Sequence, residues 1–233
     1  AGRLYEVDMR LRPSGKQGPV ATALAAFEAY QREEAWAWEH MALTRARCVA
    51  GAASVCAEAD AVRRSVIAAP REARAIWAEV AKMRARLAEA KPPRGPLDVK
   101  PGPGGLQDIE LLAQAAALLA GATARRTAAQ LEAAARAGIL APESVETLRA
   151  SYRFARSVQS VGRLLVEGPL TPEKLGQGAR AVLLAETGES DLDALEQRLE
   201  ICRAEAANLI EAVLAGAGVG PEAGGGPARE ATR

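Results

Sequence analysis

Residues 71–90 read REARAIWAEVAKMRARLAEA, and their larger apolar side chains recur at steps of three and four: Ile76, Val80, Met83 and Leu87. This spacing places the apolar side chains on one face of an α-helix and leaves the charged residues on the other face. The same helical pattern dominates the sequence after Gly51. The sequence therefore predicts a mainly α-helical protein whose helices pack as a bundle.

Periodicity, capping residues and breakers together predict where the other helices begin and end. The predicted helices cover residues 22–32, 34–43, 54–68, 71–90, 106–119, 127–137, 142–166, 172–186 and 192–214. The segment KPPRGP, residues 91–96, is a clear break between two of them. Residues 217–233 are rich in Gly, Pro and Ala, and this composition predicts a disordered tail.

Composition narrows the class of protein. The chain has 233 residues, of which 49% are hydrophobic, 25% charged and only 3% aromatic, with a net charge of +1. A core built mostly from Ala, Leu, Val and Ile favours close helix packing over a β-sandwich. The balanced charge argues against a nucleic-acid-coating protein, and no apolar run approaches the roughly 20 residues that span a bilayer. We therefore expect a cytoplasmic protein with no nucleic-acid or membrane partner.

The few cysteine and histidine side chains limit the possible metal chemistry. Cys48, Cys56 and Cys202 lack metal-ligand spacing, and in a cytoplasmic protein we expect them to be reduced and mostly buried. His40 is the single histidine, which excludes multi-histidine metal sites.

Two strands are predicted before Gly51, at Tyr5–Arg12 and Arg45–Val49. Alternate side chains of a strand share a face at a spacing of roughly 6 to 7 Å, so Asp8, Arg10 and Arg12 form one row. A carboxylate beside two arginines suits a site for Mg²⁺ and a nucleoside triphosphate. The second strand repeats the pattern with two arginines, Arg45 and Arg47. The alternative, which the spacing leaves open, is an exposed strand face lined with charges.

A glycine-rich loop leads into a helix at residues 98–110, DVKPGPGGLQDIE. Free backbone N–H groups at such a helix start can hold an anion, and Lys100 or the acidic residues can then face the strand site. The residues of this candidate site are Lys100, Gly104, Gly105, Asp108 and Glu110. In the alternative interpretation the two acidic residues only stabilise the start of the helix.

Three ordered stretches carry a resemblance to a known family: LYEVDMRLRPSG at 4–15, AFEAYQREEAWAWEHMALTRAR at 26–47 and DVKPGPGGLQDIELLAQ at 98–114. Together they resemble the C-terminal half of bacterial glutamine synthetase adenylyltransferase, and the later helices fit that family by pattern. This chain departs from the family at Pro101 and Pro103 in the loop, and at Leu111-Leu112, where the family often has an aromatic residue.

The resemblance implies a regulatory enzyme of nitrogen metabolism that transfers AMP from ATP to a tyrosine of glutamine synthetase. Its catalytic domain is similar to the polymerase-β-like nucleotidyltransferases, in which three carboxylates hold Mg²⁺. Asp8 matches the third carboxylate, and Arg10 and Arg12 match the arginines of the same motif. The other two carboxylates belong to an upstream G-S-x-S-D-x-D segment that this sequence lacks. We therefore expect a fragment that is inactive alone.

The resemblance also implies a division of the chain and a set of partners. Residues 1–51 are expected to end a nucleotidyltransferase domain, 52–216 to form the helical bundle and 217–233 the tail. The family fuses an AMP-adding half with an AMP-removing half, and AWAWEH at 35–40 favours the adding half. The removing half stays an alternative, as does a helical module that binds glutamine synthetase or the PII signal protein. Those two proteins are the expected partners.

Overall fold

The computed structural model describes residues 7–9 and 11–219, and over these residues the protein is helical. The helices are α1 (Leu24–Glu33), α2 (Ala37–Leu43), α3 (Ala53–Ala68), α4 (Ala73–Ala90), α5 (Leu106–Leu119), α6 (Thr127–Arg136), α7 (Pro142–Leu165), α8 (Gln177–Thr187) and α9 (Leu192–Gly216). Short 3-10 turns lie at Gly15–Gln17 and Pro172–Lys174. The predicted mainly α-helical bundle is confirmed.

Helix α5 forms the centre of the bundle and contacts α2, α4, α6, α7 and α9. A helix that is apolar on all sides has no face for water, so it is surrounded by other helices. Its side chains from Ile109 to Leu118 are mostly buried, and four of them are alanines, which let the neighbouring helices approach closely. A second apolar cluster joins α7, α8 and α9 through Val158, Leu183 and Leu199.

The predicted helix at residues 172–186 is divided in two. Pro172–Lys174 form a 3-10 turn, and α8 begins only at Gln177. Arg180 maintains the break, because its guanidinium donates hydrogen bonds to the carbonyl oxygens of Leu175 (2.9 Å) and Pro172 (3.1 Å). The predicted start of an α-helix at Thr171-Pro172 is therefore wrong: these residues begin a 3-10 turn, and the helix does not continue from it.

The predicted strand Arg45–Val49 is wrong. The N–H groups of Arg45 and Ala46 bond to the carbonyls of Ala42 and Leu43, and thus extend the last turn of α2. The carbonyl of Ala46 accepts a hydrogen bond from Arg125 Nε at 2.9 Å. Because side-chain and helical partners take these backbone groups, no ladder with another strand forms here.

The predicted strand Tyr5–Arg12 lies partly outside the described residues, which omit 1–6 and 10. Its described part is not a strand: the N–H of Arg12 donates to the carbonyl of Met9, which closes a turn. The apolar residues predicted to face a core are exposed, with 81% of Val7 and 68% of Leu11 accessible to solvent. The described residues contain no sheet on which they could pack.

The expectation of three reduced cysteines is wrong for two of them. Cys48 and Cys56 form a disulfide bond, while Cys202 is a free, half-buried thiol whose pKa is raised by burial. Gly51, with φ of +121°, reverses the chain between the bonded cysteines and brings their Cα atoms to 5.5 Å. Within the described residues, no helix is both long and apolar enough to cross a membrane.

The predicted division of the chain into 1–51, 52–216 and 217–233 stays a prediction. Helix α2, from the first of these segments, packs against α4 and α5, and its Met41 is buried in the main core. At the other end, Val219 is also buried in that core. Residues 220–233, which form most of the predicted tail, lie outside the described residues.

Candidate functional site

The first group of predicted site residues precedes α1. The side chain of Asp8 is exposed, and Arg10 lies outside the described residues. The guanidinium of Arg12 donates hydrogen bonds to the carbonyl oxygens of Gly18 (3.0 Å) and Met9 (2.9 Å). Arg12 therefore fixes the loop that follows it.

Two predicted site residues from separate segments meet at the start of α5. Arg45 Nη1 lies 3.2 Å from Glu110 Oε2, and Tyr152 of α7 donates a hydrogen bond to Glu110 Oε1 at 3.0 Å. Burial is the main cause that raises the pKa of Tyr152, and the negative charge of Glu110 adds to it. Glu110 thus positions Arg45, nearly half of whose side chain remains exposed.

The sequence did not indicate that Arg125 and Arg126, between α5 and α6, belong near Arg45 and Arg47. Arg125 Nε donates to the carbonyl of Ala46, and its Nη2 lies 2.5 Å from Asp60 Oδ1 on α3. Arg64 also pairs with Asp60, and Arg126 follows Arg125 in the chain. We call this set the arginine surface; its members are Arg45, Arg47, Arg64, Arg125 and Arg126. The Arg125–Ala46 contact joins residues that are 79 positions apart in the sequence, and no local pattern could have revealed it.

The arginine surface rests on a buried arginine, Arg63 of α3. Its guanidinium donates to the carbonyl oxygens of Leu43 (3.0 Å), Thr44 and Thr123 (2.9 Å), and so joins the end of α2 to the α5–α6 loop. Burial lowers the pKa of Arg63, but a guanidinium stays protonated at any physiological pH. Asp60, at 3.5 Å, offsets part of this buried charge.

Contacts within the protein account for the shape of the glycine-rich loop. Gly104 has φ of +67°, and a Cβ at this position would lie 1.9 Å from the backbone oxygen of Arg203 on α9. Gly105 is equally confined, because its Cβ would lie 2.9 Å from the oxygen of Lys100. Arg203 donates hydrogen bonds to the carbonyl of Pro101 (2.8 Å), so the loop is fixed on α9. The side chain of Lys100 is exposed.

Asp108 is the buried anchor of this loop. Its carboxylate accepts hydrogen bonds from Arg84 Nε (2.6 Å), Arg84 Nη2 (3.1 Å) and the N–H of Gly104 (2.8 Å). Burial acts to lower the pKa of Arg84, but the bonds to Asp108 and Glu211 outweigh it, and the pKa is raised. These contacts correspond to the helix-start interpretation of Asp108.

Two concave regions flank the loop. An apolar cavity of about 250 Å³ lies between α4, the loop and α9, with Leu87, Leu111 and Leu214 in its walls. A more open groove of about 750 Å³ on the other side is lined by carboxylates of α9, including Glu196 and Glu200. Asp8 lines neither of them.

The described residues do not form a metal centre by themselves. Within 7–9 and 11–219, no group of three or more His, Cys, Asp or Glu side chains is arranged to hold a metal ion. Mg²⁺ prefers an octahedral shell of oxygen ligands, and protein sites commonly supply it with one or two carboxylates plus substrate phosphates and water. Asp8 supplies one carboxylate, and the described residues do not assemble the three-carboxylate set that the resemblance implies.

Two family models match different segments of the chain. Residues 1–62 match the family model described as glutamate-ammonia ligase adenylyltransferase, and residues 75–213 match the model described as GlnD PII-uridylyltransferase. The first match contains Asp8, Arg45 and Arg47. The second contains the glycine-rich loop and the helices from α5 to α8.

Similar full-length proteins carry one name, bifunctional glutamine synthetase adenylyltransferase/adenylyl-removing enzyme. The protein of Mesorhizobium japonicum is 41% identical over 203 residues, which are 85% of this chain and 20% of that protein. The protein of Xanthobacter autotrophicus is 41% identical over 221 residues, or 92% of this chain and 22% of that protein. The chain spans about a fifth of the length of these relatives. This chain belongs to the family of glutamine synthetase adenylyltransferase/adenylyl-removing enzymes.

Proposed function

We propose that the chain is part of the adenylyltransferase half of a longer enzyme, which transfers AMP from ATP to a tyrosine of glutamine synthetase. The observation that carries this proposal is the match of residues 1–62 to the adenylyltransferase model, because that segment contains Asp8 and both predicted pairs of arginines. The names of the relatives support the same activity. In this reaction the tyrosine oxygen bonds to the α-phosphorus of ATP, and pyrophosphate leaves.

Asp8 is proposed as one oxygen ligand of Mg²⁺. The resemblance assigns the other two carboxylates to an upstream G-S-x-S-D-x-D segment, so the remaining ligands are proposed to come from that segment of the full-length protein. The exposed position of Asp8 leaves its carboxylate accessible to such a segment.

The positively charged residues are proposed to bind the phosphates of ATP: Arg10, Arg12, Arg45, Arg47 and Lys100. Arginine suits this role because its planar guanidinium binds phosphate oxygens in pairs. Glu110 fixes Arg45 and leaves much of its side chain exposed. Gly104, Gly105 and Asp108 act indirectly, since they fix the loop that carries Lys100.

The relatives are named for both adding and removing AMP, so the chain could belong to either half. We assign it to the adding half on the AWAWEH segment at residues 35–40. The removing half is the alternative, and it would use inorganic phosphate in place of ATP as the co-substrate. We also propose that the full-length enzyme is cytoplasmic and responds to the PII signal protein, a partner supported by the match of 75–213 to a PII-uridylyltransferase model.

A second candidate function is a helical module that binds glutamine synthetase or PII without catalysis. The exposure of Asp8 and its absence from the walls of both cavities favour this candidate. Titration of the chain with Mg-ATP and then with glutamine synthetase separates the two. Binding of the partner with no response to nucleotide would support the module.

The decisive experiment for the proposed function uses the full-length protein with Asp8→Asn, assayed separately for AMP addition and AMP removal. We expect addition to fall at least about a hundredfold, because a neutral amide is a poor ligand for Mg²⁺, while removal is retained. Asp193→Asn, an exposed carboxylate on α9, serves as the control. Loss of removal alone would assign the chain to the other half, and unchanged rates in both assays would contradict the proposal.

A further inference from the structure

We infer that Arg125 and Arg126 form one polyphosphate-binding site with Arg45 and Arg47, so that the helical bundle itself supplies phosphate ligands. The inference rests on the proposed function, which it extends from the N-terminal segment to the α5–α6 loop. Neither residue belongs to the segment that matches the adenylyltransferase model.

The contact that carries the inference joins two loops. Arg125 Nε donates to the carbonyl of Ala46 at 2.9 Å, directly between Arg45 and Arg47 in the chain. Arg126 follows Arg125 and is exposed at the start of α6. The four arginines therefore lie on two neighbouring backbone segments, 45–47 and 125–126, although these are distant in the sequence.

Buried polar groups hold the two loops in a fixed arrangement. Gln130, fully buried on α6, donates from Nε2 to Thr44 Oγ1 (2.9 Å) and to the carbonyl of Ala124 (3.0 Å). Arg63 makes parallel bonds from α3 to the carbonyls of Thr44 and Thr123. Because both loops share these buried partners, the arginines are positioned before any ligand arrives, which lowers the entropic cost of binding.

The arginine surface has more positive charges than carboxylates that pair with them, which favours the binding of an anion. Among the described residues, two carboxylates pair with it: Asp60 with Arg64 and Arg125, and Glu110 with Arg45. Asp60 also pairs with the buried Arg63 beneath. In the described part of the chain, Arg47 and Arg126 form no ion pair. Such an excess of positive charge repels itself, and a bound anion relieves that repulsion.

The distribution of donors fits a ligand with several charged oxygens. Arg125 uses Nε and Nη2 within the protein, but 41% of its side chain is exposed and none of residues 7–9 and 11–219 pairs with its Nη1. Arg45 is about as exposed, and Arg47 and Arg126 offer whole guanidinium groups. A diphosphate or triphosphate has enough oxygens to pair with several guanidinium groups at once, which a single carboxylate does not.

The test is an isothermal calorimetric titration of the 233-residue chain with inorganic pyrophosphate at low ionic strength. Arg126→Gln is the cleanest variant, because the side chain of Arg126 makes no hydrogen bond or ion pair with the other described residues, and its backbone bond to Gln130 is unchanged by the substitution. Arg47→Gln tests the other loop. Arg153→Gln is the matched control, an exposed arginine on α7 that also lacks an ion pair there.

We expect the wild-type chain to bind pyrophosphate, and Arg126→Gln and Arg47→Gln each to weaken binding about tenfold, as loss of a hydrogen bond to a charged group does. Arg153→Gln should bind like the wild type, and added salt should weaken binding in all of them. Failure of the wild-type chain to bind at millimolar pyrophosphate overturns the inference. So does an affinity of Arg126→Gln equal to that of the control.

Three further outcomes separate this inference from related explanations. If polyglutamate binds as tightly as pyrophosphate, the surface recognises acidic proteins and the assignment to phosphate is wrong. If full-length Asp8→Asn keeps AMP addition while Arg126→Gln still weakens pyrophosphate binding, the proposed function fails and the phosphate site stands. If Asp8→Asn abolishes addition and Arg126→Gln has no effect on binding, only the inference fails.

Discussion

Helix α5 and the segments around α1 and α2 differ in how much of their apolar surface is exposed to solvent. Along α5, side chains such as Leu112 and Ala116 are fully buried by surrounding helices. In the segments before α1 and after α2, Leu11 and Val49 are largely exposed, and arginines lie beside them. The apolar side chains of the helical region are buried within its own core. The N-terminal region exposes apolar and cationic side chains, which is typical of surfaces that bind another protein or domain.

The largest effect is expected where the helical core includes a buried charge. Asp108→Ala leaves Arg84 with only its exposed partner Glu211, and we expect the free energy of unfolding to fall by about 3 kcal/mol. Urea denaturation followed by circular dichroism measures this change. The control is Glu79→Ala, which removes an exposed pair with Lys82 on α4 and should cost less than about 1 kcal/mol. If Asp108→Ala lowered the free energy of unfolding no more than Glu79→Ala does, the proposed role of Asp108 as the anchor of the loop would be wrong.

A comparable effect is expected at the contact between the loop and α9. Gly104→Ala places a methyl group against the backbone of Arg203 at a positive φ, and we expect a loss of about 2 to 3 kcal/mol. Gly138→Ala is the matched control, since its φ is also positive (+70°) but no atom lies within 4 Å of the added Cβ. Its cost should be about 1 kcal/mol, from backbone strain alone. Similar melting temperatures for the two variants would contradict the close packing at Gly104.

A smaller effect is expected at the boundary between the two regions, where His40 of α2 is half-buried. Burial is the main cause that lowers the pKa of His40, and the positive charge of Arg71, whose guanidinium lies 3.2 Å from Nδ1, adds to it. The hydrogen bond between Nε2 and the carbonyl of Gln31 (2.9 Å) acts in the opposite direction but does not outweigh them. The unfolded chain therefore binds a proton at higher pH than the folded protein does, and stability should fall as the pH drops below about 6.5. His40→Gln should flatten this part of the pH profile of the melting temperature. An identical slope in the variant would exclude His40 as its source.

The sequence was informative where structure is set locally. The pattern of α5 predicted its bounds, Leu106 and Leu119, because an apolar helix start after a glycine pair and a Gly121 beyond its end are local signals. The strand at 45–49 was mispredicted because alternation over five residues carries no information about a partner strand. Short alternating segments therefore need long-range evidence before they are assigned.

The candidate site was only partly predictable for the same reason. The motif around Asp8 and the arginines at 45 and 47 could be selected from the sequence, since residue types and spacing suggest their chemistry. The Arg45–Glu110 pair and the Arg125–Ala46 bond depend on how α2, α5 and α6 pack. Such contacts span dozens of residues, and they emerge only from the folded bundle.

Transfer of label from ATP carrying a radioactive α-phosphate into glutamine synthetase tests the central claim most directly. The full-length wild-type protein should label glutamine synthetase, while full-length Asp8→Asn and the isolated 233-residue chain should not. Labelling by full-length Asp8→Asn at the wild-type rate would contradict the role given to Asp8.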